Sequence, residues 1–325
     1  MARYDGYFAS GSNAPGEIAG FRTIGMNVGV AGHSVSKDTK VNRAAREELK
    51  LCTDIDVFID TGAFGEVDGN LNIKPGHEMT PEVFGRVFDL YDDVAEAIGS
   101  GLYVVAPDRV GCQDTTLERL KANKFRMLKL RKKGVHIIVP IQKGARSMAA
   151  FDKAIAKALD FDDYIRGIPL CKDATSFDAL SDFAKTLKPG TRVHLLGKGP
   201  RSRDQVARKG PNKGKTTPGY ESCMSVLGHL VVTCDSVRIT ALSNRGTNGK
   251  NPAPLTKVQD RLRVEYDLPR EPALYGPKEL IIKGENNKQP ALPSADSYRV
   301  KRDAIIEVLG AELREAQENE VAAAA

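Results

Sequence analysis

Short apolar segments alternate with longer amphipathic segments along most of this chain, and this alternation constrains its fold more than any other feature. The apolar segments with the character of buried strands are 21–30, 56–60, 102–108, 135–144, 164–170, 192–199 and 230–239. Apolar residues recur at helical spacing between most of them, for example over 80–98 and 115–133. Because parallel strands need long crossover connections that are usually helices, the alternation predicts a parallel sheet covered by helices.

About seven strand candidates in series favour an α/β fold in which the strands close into a (β/α)8 TIM barrel with insertions. A doubly wound open sheet is the alternative. The chain has 325 residues, of which 41% are apolar, and this is enough for one large domain. We predict that residues 1–295 form a single barrel domain that includes a basic loop at 197–219. Residues 296–325 are expected to form a C-terminal helix with a frayed tail.

The sequence carries no signal for membrane insertion or metal binding. No apolar run approaches the roughly 18 residues of a membrane helix, and the N-terminal segment lacks the apolar core of a signal peptide. The 5 cysteines form no Cys-X-X-Cys pair, and the 5 histidines are scattered. We therefore expect a cytoplasmic protein with free thiols, no metal ion, no cofactor and no membrane partner. The net charge of +6 is compatible with a nucleic-acid partner.

Several strand candidates finish with a residue that is polar or that lets another backbone approach closely. These residues are Asp60, Asp108, Gln142, Gly167, Gly197 and Asp235. In a barrel the carboxyl ends of the strands meet at one mouth, where chemistry takes place. A single aspartate after a strand is often only a turn former. Together, however, three carboxylates and an amide predict a pocket rich in hydrogen-bond acceptors.

Such a pocket suits a ligand that carries several N–H donors, and a guanine-like base is one. Two of the aspartates could accept from its ring N–H and its exocyclic amine, and Gln142 could donate to its carbonyl. Phe64, which follows Asp60 closely, could stack on the base. The third aspartate would then be free to attack an attached sugar, as the carboxylate of a retaining glycosidase does.

Six short motifs in the same order resemble the guanine transglycosylase superfamily, which comprises the tRNA-guanine transglycosylases and the enzymes that place 7-deazaguanine bases in DNA. They are DTGAF, APDRVG, PIQKG, RGIPL, HLLGKG and CDSVRI. The resemblance implies that Asp60 and Asp108 recognise the base, and that Phe64 stacks on it. It also implies that the side chain of Gln142 reads the purine carbonyl. Further contacts to the base are implied for Gly167, Ile168, Leu196 and Gly197.

The same resemblance implies a double displacement that exchanges guanine for a 7-deazaguanine base. Asp235 would attack the anomeric carbon and expel guanine, and a pocket carboxylate, assigned to Asp60, would help to deprotonate the incoming base. No Cys follows Cys234 and no His follows His229, so the zinc subdomain of the tRNA enzymes is not expected. This departure favours the DNA-modifying branch, which is typical of bacteriophages, with DNA and a free 7-deazaguanine as substrates.

Basic residues in and near the loops 197–219 and 244–250 are the candidates to hold a phosphate backbone. They are Lys198, Arg201, Arg203, Lys213, Arg238 and Arg245. A merely solvated surface is the alternative for these loops. For the whole protein, the alternatives are a tRNA-guanine transglycosylase without zinc, a non-catalytic barrel that binds nucleic acid, and an unrelated barrel enzyme that binds phosphate through LLGKG. Association into a homo-oligomer is left open.

Overall fold

Eight parallel strands close into a barrel in the computed structural model, which describes residues 6–23, 25–68, 71–170, 175–199, 202–206, 214 and 216–237. The strands in chain order are β1 Tyr7–Ala9, β2 Val28–Ala31, β3 Val57–Asp60, β4 Leu102–Val105, β5 His136–Pro140, β6 Ile165–Pro169, β7 Arg192–Leu196, β8 Gln205–Val206, β9 Thr216–Thr217 and β10 Val231–Ser236. β8 and β9 form a separate antiparallel pair, and the barrel has the order β1-β10-β7-β6-β5-β4-β3-β2. The closed parallel barrel confirms the predicted (β/α)8 fold over the open doubly wound sheet.

Helices connect successive barrel strands and pack against the outside of the barrel. They are α1 Pro15–Thr23, α2 Gly32–Val35, α3 Lys40–Lys50, α4 Pro81–Ile98, α5 Gln113–Lys132, α6 Met148–Leu159, α7 Phe177–Ala184 and α8 Tyr220–Leu227. The helices predicted over 80–98 and 115–133 are thus confirmed to within two residues at each end. No helix in these described parts of the chain combines the length and the apolarity that crossing a lipid bilayer requires.

The start of α4 shows how local sequence determines a helix boundary. The side chain of Thr80 accepts a hydrogen bond from the backbone N–H of Val83, at 3.4 Å, and Pro81 occupies the first turn. Both features favour a helix N-terminus, because the capping oxygen satisfies a free backbone donor and proline has no N–H to satisfy. Val87 and Tyr91 lie one turn apart on the buried face, so α4 packs this apolar stripe against the barrel.

The predicted first strand at 21–30 is confirmed only over its last three residues. Its first residues end helix α1, and only the segment Val28–Ala31 at its end joins the sheet. The strand that sequence reasoning missed is Tyr7–Ala9, which pairs with β10 and β2 and closes the barrel. Three residues are too few to show a strand periodicity, so this strand is recognisable only through its neighbours.

Apolar side chains fill the barrel interior below its carboxyl-terminal mouth. Phe8, Phe58, Val105, Ile138 and Ile165 form one buried cluster there. A larger buried cluster lies between the outer face of the sheet and the helices. Because the interior is filled in this way, the barrel has a solid floor, and ligand space remains at the mouth.

Several predictions fall on residues that the structure does not describe. They include the helix at 296–325, the loop at 244–250 and, within the basic loop at 197–219, residues 200–201, 207–213 and 215. The limits of the barrel domain at residue 295 therefore stay a prediction.

Candidate active site

A cavity of about 550 Å³ opens at the carboxyl-terminal ends of the barrel strands. Residues from all eight barrel strands or from the loops that follow them line it. Its volume lies in the range typical of small-molecule sites. Asp60, Asp108, Gln142 and Asp235 are all part of the lining. The structure thus brings together the three carboxylates and the amide that the sequence places at the ends of predicted strands.

The strand order determines which of these side chains face one another. β3, β4 and β5 are neighbours, and they carry Asp60, Asp108 and Gln142 at or just after their ends. Three strands separate β10 from β4 in either direction around the barrel. Asp235, on β10, therefore lies across the cavity from a wall formed by two carboxylates and an amide.

Apolar side chains stand on two sides between these polar groups, although Ser10, Ser202 and Ser236 also line the cavity. β2 contributes Ala31, and β6 contributes Pro169. These two strands also lie opposite each other, because three strands separate them in either direction. A flat ring would contact apolar groups on both faces in this position, while its edge met the polar wall.

Hydrogen bonds fix the orientation of the Gln142 amide. Its Nε2 donates to Oδ2 of Asp108 at 2.7 Å, and its Oε1 accepts from the backbone N–H of Gly111 at 2.9 Å. The hydroxyl of Thr61 donates to Oδ1 of Asp108 at 3.4 Å. An amide nitrogen carries two protons, so one N–H of Gln142 is available to a ligand acceptor.

The pKa values of Asp60 and Asp108 are raised far above the ordinary value of 3.8. Burial, and next the charge of Asp235, raise the pKa of Asp60 to about 6, although the backbone N–H of Gly62 opposes the shift. Burial, and next the charge of Asp60, raise the pKa of Asp108 to about 7. Both carboxyl groups therefore change protonation near neutral pH, as general acids and bases must.

Asp235 is held through one of its two oxygens. Its Oδ1 accepts from the backbone N–H of Gly197 at 2.8 Å and contacts Nε2 of His194 at 3.3 Å. Gly197 has a φ of +78°, a left-handed conformation that suits glycine. Both contacts made by described residues end on Oδ1, so the lone pairs of Oδ2 are available for chemistry at the cavity.

Phe64 stands at the mouth of the cavity on the loop that follows β3. It lines the cavity and is 46% exposed. It belongs to a short 3-10 helix, Ala63–Glu66, which begins after Gly62 with a φ of +88°. A Cβ at position 62 would lie 2.1 Å from Nδ1 of His33, so only glycine fits there. The glycine of DTGAF thus lets the chain turn and present Phe64 to the cavity.

A buried ion pair supports this loop from below. The guanidinium of Arg119 donates to Oε2 and Oε1 of Glu66 at 2.9 and 2.6 Å, and it also donates to the backbone oxygen of Asp108. The Glu66 side chain is completely buried. The pair therefore joins the loop that carries Phe64 to the one that carries Asp108.

Removing the cation of this pair is expected to be costly. Arg119→Met leaves the Glu66 charge buried without a partner, and the free energy of unfolding should fall by about 3–5 kcal/mol. Urea unfolding measures this loss. Arg126→Met is the matched control, since Arg126 is half exposed and lies 3.7 Å from Asp89, so its loss should cost about 0–1 kcal/mol. Equal losses in both variants would contradict the supporting role of the pair.

The structure differs from the sequence prediction at β6. Ile168 points outward into the cluster beneath the helices and does not line the cavity. Gly167 faces inward but lies beneath Leu196, whose Cδ1 would be 3.1 Å from a Cβ at that position. Pro169 is the residue of β6 that reaches the cavity, because side chains alternate along a strand. Leu196 itself lines the cavity, as expected.

The predicted phosphate-binding residues divide into three groups. Lys198 is only 6% exposed and lies near Asp204 and Cys223, so its side chain does not form part of an open surface. Arg203 is exposed. The others lie outside the described residues: Arg201, Lys213, Arg238 and Arg245.

Sequence reasoning missed His194, which contacts Asp235 from within β7. A histidine in the middle of an otherwise apolar strand was the available signal, since a buried polar group needs a partner. Among the residues that the structure describes, no group of three or more His, Cys, Asp or Glu side chains is arranged to hold a metal ion.

Comparisons with known proteins return only distant structural similarity. No family model and no curated protein matches the sequence. A putative fructose-1,6-bisphosphate aldolase from Coccidioides immitis has 9% identity and a TM-score of 0.45, and the match covers 95% of this chain and 88% of that one. A xylose isomerase domain-containing protein from Salmonella typhimurium has 10% identity and a TM-score of 0.45, over 81% and 96% of the two chains. A D-psicose 3-epimerase has 11% identity and a TM-score of 0.40, over 80% and 97%.

The assignment to the guanine transglycosylase superfamily is therefore wrong. The similar structures are those of an aldolase, a xylose isomerase-like protein and an epimerase, and no family model supports the assignment. The six motifs that suggested it are short turns after buried strands, and polar or glycine residues occur at such turns in barrels of any function. The closed eight-stranded parallel barrel itself shows that the chain has a TIM-barrel fold.

Proposed function

We propose that this barrel is an enzyme that exchanges guanine in DNA for a 7-deazaguanine base through a covalent bond to Asp235. The observation that carries the proposal is one carboxylate that faces two others and an amide across a slot with apolar sides. This arrangement, rather than membership of a family, supports the chemistry.

The polar wall complements the edge of guanine. The ring N–H and the exocyclic amine of the base donate to Asp60 and Asp108, and the second N–H of Gln142 donates to the carbonyl. The apolar sides of the slot contact the two faces of the ring. Phe64 stacks on the part of the substrate that extends to the mouth of the cavity. With its edge against β3, β4 and β5, the base directs its glycosidic bond towards Asp235.

The reaction takes place in two displacements. Oδ2 of Asp235 attacks C1′, the C1′–N9 bond breaks, and the electron pair leaves with guanine, which takes a proton from Asp60. The ionised Asp60 then takes up the proton that the incoming base loses, and N9 of that base attacks C1′ as the C1′–Oδ2 bond breaks. Two inversions retain the configuration at C1′. A pKa of about 6 supports both roles of Asp60, since the group can donate and accept protons near neutral pH.

The incoming base must differ from guanine, because exchange of guanine for itself makes no net change. A 7-deazaguanine has the same donor and acceptor edge, so the same wall recognises it. A paired base does not reach the floor of a barrel, so the nucleotide has to turn out of the helix. The net charge of +6 favours a polyanionic partner, and the proposed phosphate contacts are Arg203 together with Arg201, Lys213, Arg238 and Arg245, whereas the buried Lys198 is not among them.

Incubation with radiolabelled guanine tests this function. Duplex DNA, single-stranded DNA and tRNA are offered separately, and label that becomes acid-insoluble reports base exchange. We expect label in DNA, and its release when unlabelled 7-cyano-7-deazaguanine is added in excess. Mass analysis of the digested DNA should then detect the deazaguanine nucleoside.

The other outcomes are equally informative. Label in tRNA alone would show that the polymer is wrong and the chemistry right. No label in any polymer, with guanine binding intact, would favour a non-catalytic barrel. Absence of guanine binding would overturn the proposal as a whole.

A further inference from the structure

We infer that His194 is a positioning residue that holds Asp235 for attack by donating its Nε2–H to Oδ1. The inference rests on the proposed function for its catalytic consequence, whereas the hydrogen bond itself can be tested without any reaction. Thr233, the neighbour of His194 on β10, fixes the orientation of the ring.

The ring of His194 is enclosed within the barrel. Its residue exposure is 0%. It stacks on the ring of Phe58 with 4.9 Å between centroids and an angle of 15°, and the ring of Phe8 lies 5.9 Å away. A ring packed in this way cannot swing out to solvent, so its two nitrogens keep their partners. One nitrogen faces Asp235 and the other faces Thr233.

The contacts of Thr233 are compatible with a proton on Nε2 of His194. Its Oγ1 lies 2.8 Å from Nδ1 of His194 and 3.4 Å from the backbone oxygen of Val193. A hydroxyl has one proton, so Thr233 donates either to Nδ1 or to the backbone oxygen of Val193, and the contact with Asp235 decides between the two arrangements. Donation from Thr233 to Nδ1 leaves the proton of the neutral ring on Nε2, 3.3 Å from Oδ1 of Asp235.

The opposite tautomer is unfavourable. With the proton on Nδ1, the lone pair of Nε2 would face a carboxylate oxygen, and two acceptors would meet in a buried site. A doubly protonated ring also carries a proton on Nε2. In both favourable states His194 therefore donates to Asp235.

This hydrogen bond matters in both displacements. With Oδ1 held by His194 and by the N–H of Gly197, the free oxygen Oδ2 points its lone pairs at C1′. When the glycosyl ester later breaks, negative charge returns to the carboxylate, and the two donors on Oδ1 stabilise it as a leaving group. No bond to His194 forms or breaks, and its proton stays on Nε2 throughout.

Two substitutions separate donation from packing. His194→Phe keeps a ring against Phe58 but removes the donor, and we expect kcat for base exchange to fall about 10- to 100-fold with little change in KM for guanine. His194→Gln keeps an N–H at a similar reach and should recover kcat to within about threefold of the wild type. His136→Gln is the matched control, since His136 contacts Arg192 at the other end of the barrel strands and should leave kcat unchanged.

Several results would overturn the inference. Equal losses in His194→Phe and His194→Gln would mean that the ring serves only to pack. An unchanged kcat in His194→Phe would mean that the donor is not needed. If His194→Phe fails to fold, Thr233→Val replaces it as the test, and a kcat equal to that of the wild type would count against the assigned tautomer.

A spectroscopic measurement distinguishes failure of this inference from failure of the proposed function. Long-range ¹H–¹⁵N spectra of the wild type resolve the tautomers of the 5 histidines. We expect a protonated Nε2 for His194, with a shift that changes in Asp235→Asn. A spectrum with the proton on Nδ1 alone overturns the inference. If no polymer is labelled but this signal is present, the hydrogen bond stands and only the proposed reaction fails.

Discussion

Asp235→Asn is expected to lower the rate of base exchange by at least about 10⁴-fold, because an amide cannot form the glycosyl ester. Guanine binding should persist, since Asp60, Asp108 and Gln142 form the opposite wall of the cavity. The rate is measured by incorporation of labelled guanine into DNA, and binding by calorimetry. Wild-type protein mixed with DNA in the absence of any added free base should also yield a denaturant-resistant protein–DNA adduct that the variant does not form.

The matched control for this substitution is Asp56→Asn. Asp56 precedes β3 and lines a separate cavity at the opposite end of the strands, so its amide should leave the exchange rate within about twofold of the wild type. Wild-type exchange in Asp235→Asn would show that another group is the nucleophile. Equal losses in both variants would point to a general effect of removing a carboxylate.

Asp108→Asn is expected to weaken exchange and to strengthen the fold at high pH. Loss of a charged acceptor for the base should lower kcat/KM by about 10²-fold.

The folded protein raises the pKa of Asp108 from 3.8 to about 7, mainly through burial. Because the pKa is raised on folding, the protonated carboxyl group makes its full contribution to the free energy of unfolding below about pH 4. This contribution is lost as the pH rises through 7. The amide does not ionise, so at pH 8 the free energy of unfolding of the variant should exceed that of the wild type by about 1–3 kcal/mol.

Urea unfolding of Asp108→Asn and of the wild type at pH 5 and pH 8 tests the direction of this pH-dependent difference in stability. The advantage of the variant should be small at pH 5 and full at pH 8. Asp89→Asn is the control, since this aspartate is 79% exposed and its replacement should not create a pH-dependent difference. An Asp108 variant that is less stable than the wild type at both pH values would contradict a carboxyl group destabilised by burial.

Sequence patterns located most of the barrel and most of its polar wall. The strands that precede Asp60, Asp108 and Gln142 are buried on both faces, so each reads as a continuous apolar run with a clear end. A polar residue at such an end is visible without any structure. The helices between these strands were equally readable, because caps and apolar stripes are local features.

Other parts of the site depended on contacts between distant segments. Ile168 and Pro169 are neighbours in sequence, but only the register of β6 decides that Pro169 reaches the cavity and Ile168 does not. Lys198 read as a surface cation and is buried. His194 read as an ordinary strand residue, since its contact with Asp235 joins two strands that lie apart in the chain.

The sequence by itself determined the α/β class and the polar residues that end the buried strands. Burial on two faces and helical amphipathicity both appear in the spacing of apolar residues along the chain. Only the tertiary structure decided that eight strands close into a ring, with the three-residue strand Tyr7–Ala9 as the last member. Closure places Asp235 across from Asp108 and encloses His194. These are consequences of strand order and register, which depend on pairing energies between segments far apart in the chain.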